Sequence, residues 1–186
     1  MQYFERSKKD GVSLENCLKK IKNQIEELKM METPKEGEGL IRLHESTLGV
    51  EELIEFNRAY LEGNITMGCY VNKYENQAAN LFNSKYALSS NSGSSANLLA
   101  ISSLMQLGYL KAGDKIIVPK LAWSTTIFPL IQYGLIPVYA DISTDDFNIC
   151  IDDVNQLIKD YKAKALMIIH TYGNPCNMDK IMEICK

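Results

Sequence analysis

Residues 86–99, Tyr-Ala-Leu-Ser-Ser-Asn-Ser-Gly-Ser-Ser-Ala-Asn-Leu-Leu, decide how the rest of the chain is read. A short run of strand character (86–89) leads into a small-residue turn, Asn91-Ser92-Gly93. An apolar segment with helical spacing follows at Leu98, Leu99, Ile101 and Leu104. The first amides of such a helix have no partner inside it, and with the helix dipole they favour a phosphate or carboxylate. Ser94 and Ser95 fall in the first turn, where their amides and hydroxyls are placed to donate to one anion, and Gly93 lets the backbone come close to it. The same residues also make an ordinary helix cap. The turn lacks the spaced glycines of a dinucleotide fingerprint, the Gly-Lys-Ser/Thr of a P-loop and the flanking glycines of a nucleophile elbow.

Beyond this turn the chain alternates strand and helix. Strand-like runs at 115–118, 136–140 and 165–169 are apolar or β-branched and bounded by Gly, Pro or Asp. Helical segments are expected at about 95–106, 125–133, 152–159 and 177–186. This alternation predicts an α/β fold, a mostly parallel sheet with helices on both faces, and ligands beyond the carboxyl ends of its strands.

Ahead of the turn, a charged lead (1–12) precedes an amphipathic helix at about 13–31, whose stripe Leu14, Leu18, Ile21, Ile25 and Leu28 is expected to pack on the chain's own body. A polar Pro/Gly stretch at 33–39 reads as a linker, which sets the division 1–39 and 40–186. Further helices are expected at 50–61 and about 71–82.

The 186 residues, 46% hydrophobic and 23% charged, suit a globular protein. A net charge of −3 provides no basic field for nucleic acid. With no apolar run of membrane-spanning length and no opening signal peptide, no membrane is expected as a partner, and the cytoplasm is the default location. Five scattered cysteines without a Cys-x-x-Cys pair, and two histidines, do not suggest a metal site.

Three positions fall at carboxyl ends of the expected strands. Trp123, the single tryptophan, can stack on a flat heteroaromatic ring or fill a core. His170, leading Thr171-Tyr172-Gly173-Asn174-Pro175, can touch a ligand or cap its strand, and Asp141 reads most simply as a turn residue or helix-start acid.

Residues 91–100, 113–119 with Trp123-Ser124-Thr125-Thr126, 134–142 and 170–179 form four motifs in order. Together, over roughly 40–186, they resemble the DegT/StrS family of nucleotide-sugar aminotransferases, enzymes of fold type I that use pyridoxal 5′-phosphate. The resemblance implies the N-terminal part of that family's large domain. It implies that Gly93, Ser94 and Ser95 hold the cofactor phosphate, chiefly through the amides of Ser94 and Ser95, that Trp123 stacks on the pyridine ring, and that His170 and Asn174 lie near the cofactor cleft. A nucleotide-linked keto-sugar, an amino donor and a homodimeric assembly are implied as partners, in deoxysugar or surface polysaccharide synthesis. The family's ring-nitrogen carboxylate and Schiff-base lysine lie C-terminal to the motif matching 170–179, so no residue of this chain is assigned a catalytic role. Aminotransfer is the first expectation. The wording of residues 91–99 and 170–175 is equally similar to the keto-sugar 3-dehydrases of lipopolysaccharide synthesis, and a non-catalytic truncated fragment is a third reading.

Overall fold

The computed structural model describes residues 13–32 and 48–186. The charged lead, the 33–39 stretch and the division at 39/40 lie outside them. The chain forms two compact units, Met1–Leu88 and Ser89–Lys186.

In the first unit, α1 (Leu14–Glu32) packs on α2 (Val50–Leu61), which answers what the apolar stripe was for. Leu18 is buried in that contact, and Leu28 at the far end of the stripe is exposed. Ion pairs between Glu15 and Arg58, 2.6 Å apart, and between Lys22 and Glu51, 3.4 Å apart, cross the pair. α3 (Cys69–Leu81) follows a loop held by Tyr70, whose hydroxyl donates to Glu62 at 2.8 Å.

The second unit holds the sheet. Its elements are α4 (Gly93–Gln106), β1 (Lys115–Pro119), α5 (Ser124–Gln132), β2 (Ile136–Ala140), α6 (Ile151–Tyr161), β3 (Ala165–Leu166) and α7 (Met178–Ile184). The strands are parallel in the order β2-β1-β3, with Ile117 of β1 opposite Val138 on one side and Leu166 on the other.

The expected strand at 86–89 forms no ladder among the described residues. An extended segment becomes a strand only beside a neighbour, and none pairs with this one in the β2-β1-β3 sheet. The run at 165–169 pairs only over Ala165–Leu166.

Side chains alternate across the pleat, so β1 serves two cores. Ile116 and Val118 pack with Ile101 of α4 and Leu130 of α5, while Ile117 packs with Val138, Val154 of α6 and Ile181 of α7. Helices therefore cover both faces. The order also explains which face each helix takes. From β1 the chain moves one place sideways to β2, then two places back to β3, and right-handed crossovers in opposite directions put α5 and α6 on opposite faces.

Candidate functional site

The same reversal creates a crevice. The loop leaving β1 runs to α5 on one face, and the loop leaving its neighbour β3 runs to α7 on the other, so the carboxyl ends of β1 and β3 part above the sheet. Such a switch point is where open parallel sheets receive ligands. Trp123 caps α5 on one side, and His170 to Asn174 lie on the other.

α4 brings its N-terminus to this edge. It reaches β1 through residues 107–114 alone, so its C-terminal end lies at the amino edge of the strand. Its 14 residues, about 21 Å of helix, carry the other end back past the strand. A hydrogen bond from Asn97 Nδ2 to the Thr125 carbonyl, 3.1 Å, ties the start of α4 to the first turn of α5.

Ser92 is the cap residue, and its Oγ accepts from the Ser95 amide at 3.2 Å. The Ser95 and Ser92 hydroxyls are also within 3.2 Å of each other. The expected anion donor Ser95 thus has its amide engaged by the cap. The amides of Gly93 and Ser94 have no acceptor among the described residues. A Cβ added at Gly93 would meet nothing within 4 Å, so the turn is uncrowded at that residue.

Trp123 stands 76% exposed, a large ring that fills no core. His170 is exposed but fixed. Its Nδ1 accepts the Cys176 amide at 3.0 Å, which leaves Nε2 as the ring nitrogen that carries a proton. Cys176 Sγ donates to the Ile169 carbonyl at 3.1 Å, and burial pushes that thiol's pKa up. Asn174 is exposed, and its amide donates to the Thr171 carbonyl across a single 3-10 turn, Thr171–Gly173.

Asp141, at the end of β2, holds the Ile142 amide at 2.9 Å and pairs with Lys120 at 3.1 Å; the amide first, then the ammonium, lower its pKa. That is the turn role expected of it. No cluster of metal-ligating side chains occurs among the described residues, and none of their helices is long and apolar enough to cross a membrane.

One residue that carries much of this edge was not singled out from the sequence. Asn148, 2% exposed, holds residues 171–174 through two hydrogen bonds described below. The stretch Asp146-Phe147-Asn148 has turn composition, which is the only local signal it offers.

Residues 46–186 match the DegT/DnrJ/EryC1/StrS aminotransferase family. The chain belongs to this family. Among its DegT/StrS relatives, GDP-4-keto-6-deoxy-D-mannose 3-dehydratase from Escherichia coli O55:H7 is 46% identical over 121 residues, 64% of this chain and 31% of that protein. The 3-oxo-glucose-6-phosphate:glutamate aminotransferase of Bacillus subtilis is 30% identical over 122 residues, 66% of this chain and 26% of that protein. Among solved structures, the E. coli GDP-4-keto-6-deoxy-D-mannose-3-dehydratase with bound hydrated PLP superposes with a TM-score of 0.72 at 42% identity, over 76% of this chain and 37% of that one. The chain spans about a third of the length of the curated dehydratases it matches, 31% and 36%.

Proposed function

We propose that this chain forms the phosphate-binding and ring-stacking part of a pyridoxal 5′-phosphate enzyme acting on a nucleotide-linked 4-keto-6-deoxysugar, of the 3-dehydratase kind. The observation that carries the cofactor reading is the pair of amides at Gly93 and Ser94 without an acceptor among the described residues, at an uncrowded turn on the edge that also presents Trp123. These residues fit the group. Two N–H donors at the positive end of a 14-residue helix suit a phosphate dianion, and an exposed indole suits a flat pyridine ring.

When bound, the cofactor supplies an electron sink beside the sugar carbonyl. The chain's own residues bind and orient it. Gly93 and Ser94 fix the phosphate through their amides. Ser95 is held inward by Ser92, so its part is to stiffen the first turn. Trp123 covers one side of the ring. His170 through its Nε2–H and the exposed Asn174 through its side-chain carboxamide serve as hydrogen-bond donors on the β3 side of the crevice.

The relatives support the dehydratase branch over the aminotransferase first expected, at 46% identity against 30%. A homodimer, glutamate as amino donor and a place in surface polysaccharide synthesis belong to the same proposal.

Pyridoxamine 5′-phosphate tests the cofactor reading, because it has no aldehyde to condense with surface lysines. Its fluorescence on titration with the chain should report saturable binding, and Trp123→Ala should weaken that binding about tenfold, in line with the loss of one aromatic stack. Equal affinity for the two proteins would refute the ring-stacking role. For the reaction, GDP-4-keto-6-deoxy-D-mannose is offered to the intact enzyme with cofactor and glutamate. Loss of the 3-hydroxyl in the product mass supports dehydration, and a gained amine returns the reading to aminotransfer.

A further inference from the structure

The turn that carries His170 and Asn174 is gripped from a neighbouring loop. Asn148 Oδ1 accepts the Thr171 amide at 3.0 Å, and Asn148 Nδ2 donates to the Asn174 carbonyl at 3.2 Å. One planar side chain thus holds the first amide and the last carbonyl of residues 171–174. The second Nδ2 hydrogen goes to Asp146 Oδ2 at 3.3 Å, while Asp146 Oδ1 accepts the Asn148 backbone amide at 3.0 Å. The Thr171 hydroxyl adds a bond to the Phe147 carbonyl at 3.0 Å, and the Ser143 amide closes on the Asn148 carbonyl at 2.8 Å.

Phe147, between the two polar partners, sits at φ 59°, and Tyr172, at the tip of the gripped turn, at φ 55°. Bulky residues keep this left-handed conformation only where their surroundings impose it. Their rings meet edge to face with centroids 6.4 Å apart. Two strained residues facing each other, joined by a buried amide with every hydrogen-bonding atom in use, describe a segment held in a chosen place.

We infer that Asn148 is a positioning residue for the cofactor site, setting the His170–Asn174 segment against the crevice while leaving the phosphate end at Gly93 and Ser94 untouched. This rests on the reading that His170 and Asn174 border the bound cofactor. The residue type follows from the task. Only a carboxamide presents an acceptor and two donor hydrogens in one plane. Aspartate has no donor and would set a carboxylate against the Asn174 carbonyl, and leucine has the shape without the bonds. The two anchors of the cleft also belong to different cores. α4 packs in the Ile116, Val118 and Leu130 cluster, whereas Ile149, next to Asn148, and Cys176, next in the gripped loop, pack with Ile117 and Val154.

That separation gives a test on the whole chain with two probes. Inorganic phosphate, followed by 31P line broadening, engages only the α4 end. Pyridoxamine 5′-phosphate, followed by fluorescence, engages both. Asn148→Leu should weaken pyridoxamine phosphate about tenfold, the scale of two lost hydrogen bonds, and leave phosphate affinity unchanged. Asn148→Ser, which retains a small acceptor for Thr171, should fall between Leu and the native residue, and it serves if the Leu chain does not fold. Unchanged pyridoxamine phosphate affinity in both variants, with the native chain binding and Ser94→Asp abolishing it, overturns the positioning role and leaves the site reading intact. Parallel loss of both probes overturns it too, since that is what general loosening of the fold does. A native chain that binds neither probe overturns the site reading and this inference together.

Discussion

Replacing Tyr172 by glycine and by alanine should give an order of stability opposite to that found in helices. Tyr172 is 91% exposed and held at φ 55°, so its ring buries little and its backbone is strained. Left-handed backbone costs an L-residue about 1–2 kcal/mol, and glycine escapes that cost. Glycine in turn loses about 0.4–1 kcal/mol relative to alanine through the freedom of its unfolded chain. Both substitutions forfeit the edge contact with Phe147, about 0.5–1.5 kcal/mol, so that contribution cancels between them. The difference leaves Tyr172→Gly more stable than Tyr172→Ala by roughly 0.5–1 kcal/mol. At a urea slope of about 2 kcal/mol per molar this is a midpoint higher by roughly 0.25–0.5 M. A matched pair at Ser103, in the regular part of α4, should show the reverse, with glycine lower by about 1 kcal/mol. An alanine variant as stable as glycine at 172 would mean that the turn is not strained, and one support for Asn148 as its clamp would go with it.

Ser92→Ala removes the α4 cap and should cost about 1 kcal/mol in urea unfolding. Acid should act through Asp146. The Asn148 amide beside it holds its carboxyl below the ordinary value, so its contribution to stability is whole above the unfolded pKa of about 3.9 and is lost as pH falls through the lower folded value. Asp146→Asn should therefore flatten that part of the fall in urea midpoint with pH. Thiol labelling followed by mass analysis should reach exposed Cys69 and Cys185 first and Cys176, buried and with its pKa raised, last.

Local periodicity carried most of the fold. The spacing at 50–61 matches α2 residue for residue, and the β-branched runs of β1 and β2 stand where expected, because each owes its state chiefly to its own residues. The strand expected at 86–89 depended on a neighbour that its own composition does not specify. Similarly, Ser95 reads as an anion donor from its place in the first turn, and only the rotamer of Ser92 decides that its amide is taken. Asn148 was the least legible, since its bonds to Thr171 and Asn174 span 23 and 26 residues and asparagine in a turn has many ordinary uses. The left-handed Tyr172 has no sequence mark at all, being neither glycine nor asparagine.

The division of β1 between two cores has a mechanical consequence. The Gly93–Ser94 end of the crevice is bolted to the layer beneath α4 and α5, and the His170 side to the layer beneath α6 and α7, with one five-residue strand as their common spine. Wear in one layer shifts one jaw and leaves the other aligned. A molecule gripped by both jaws becomes a third strut between the layers, so its arrival tightens parts of the fold it never touches.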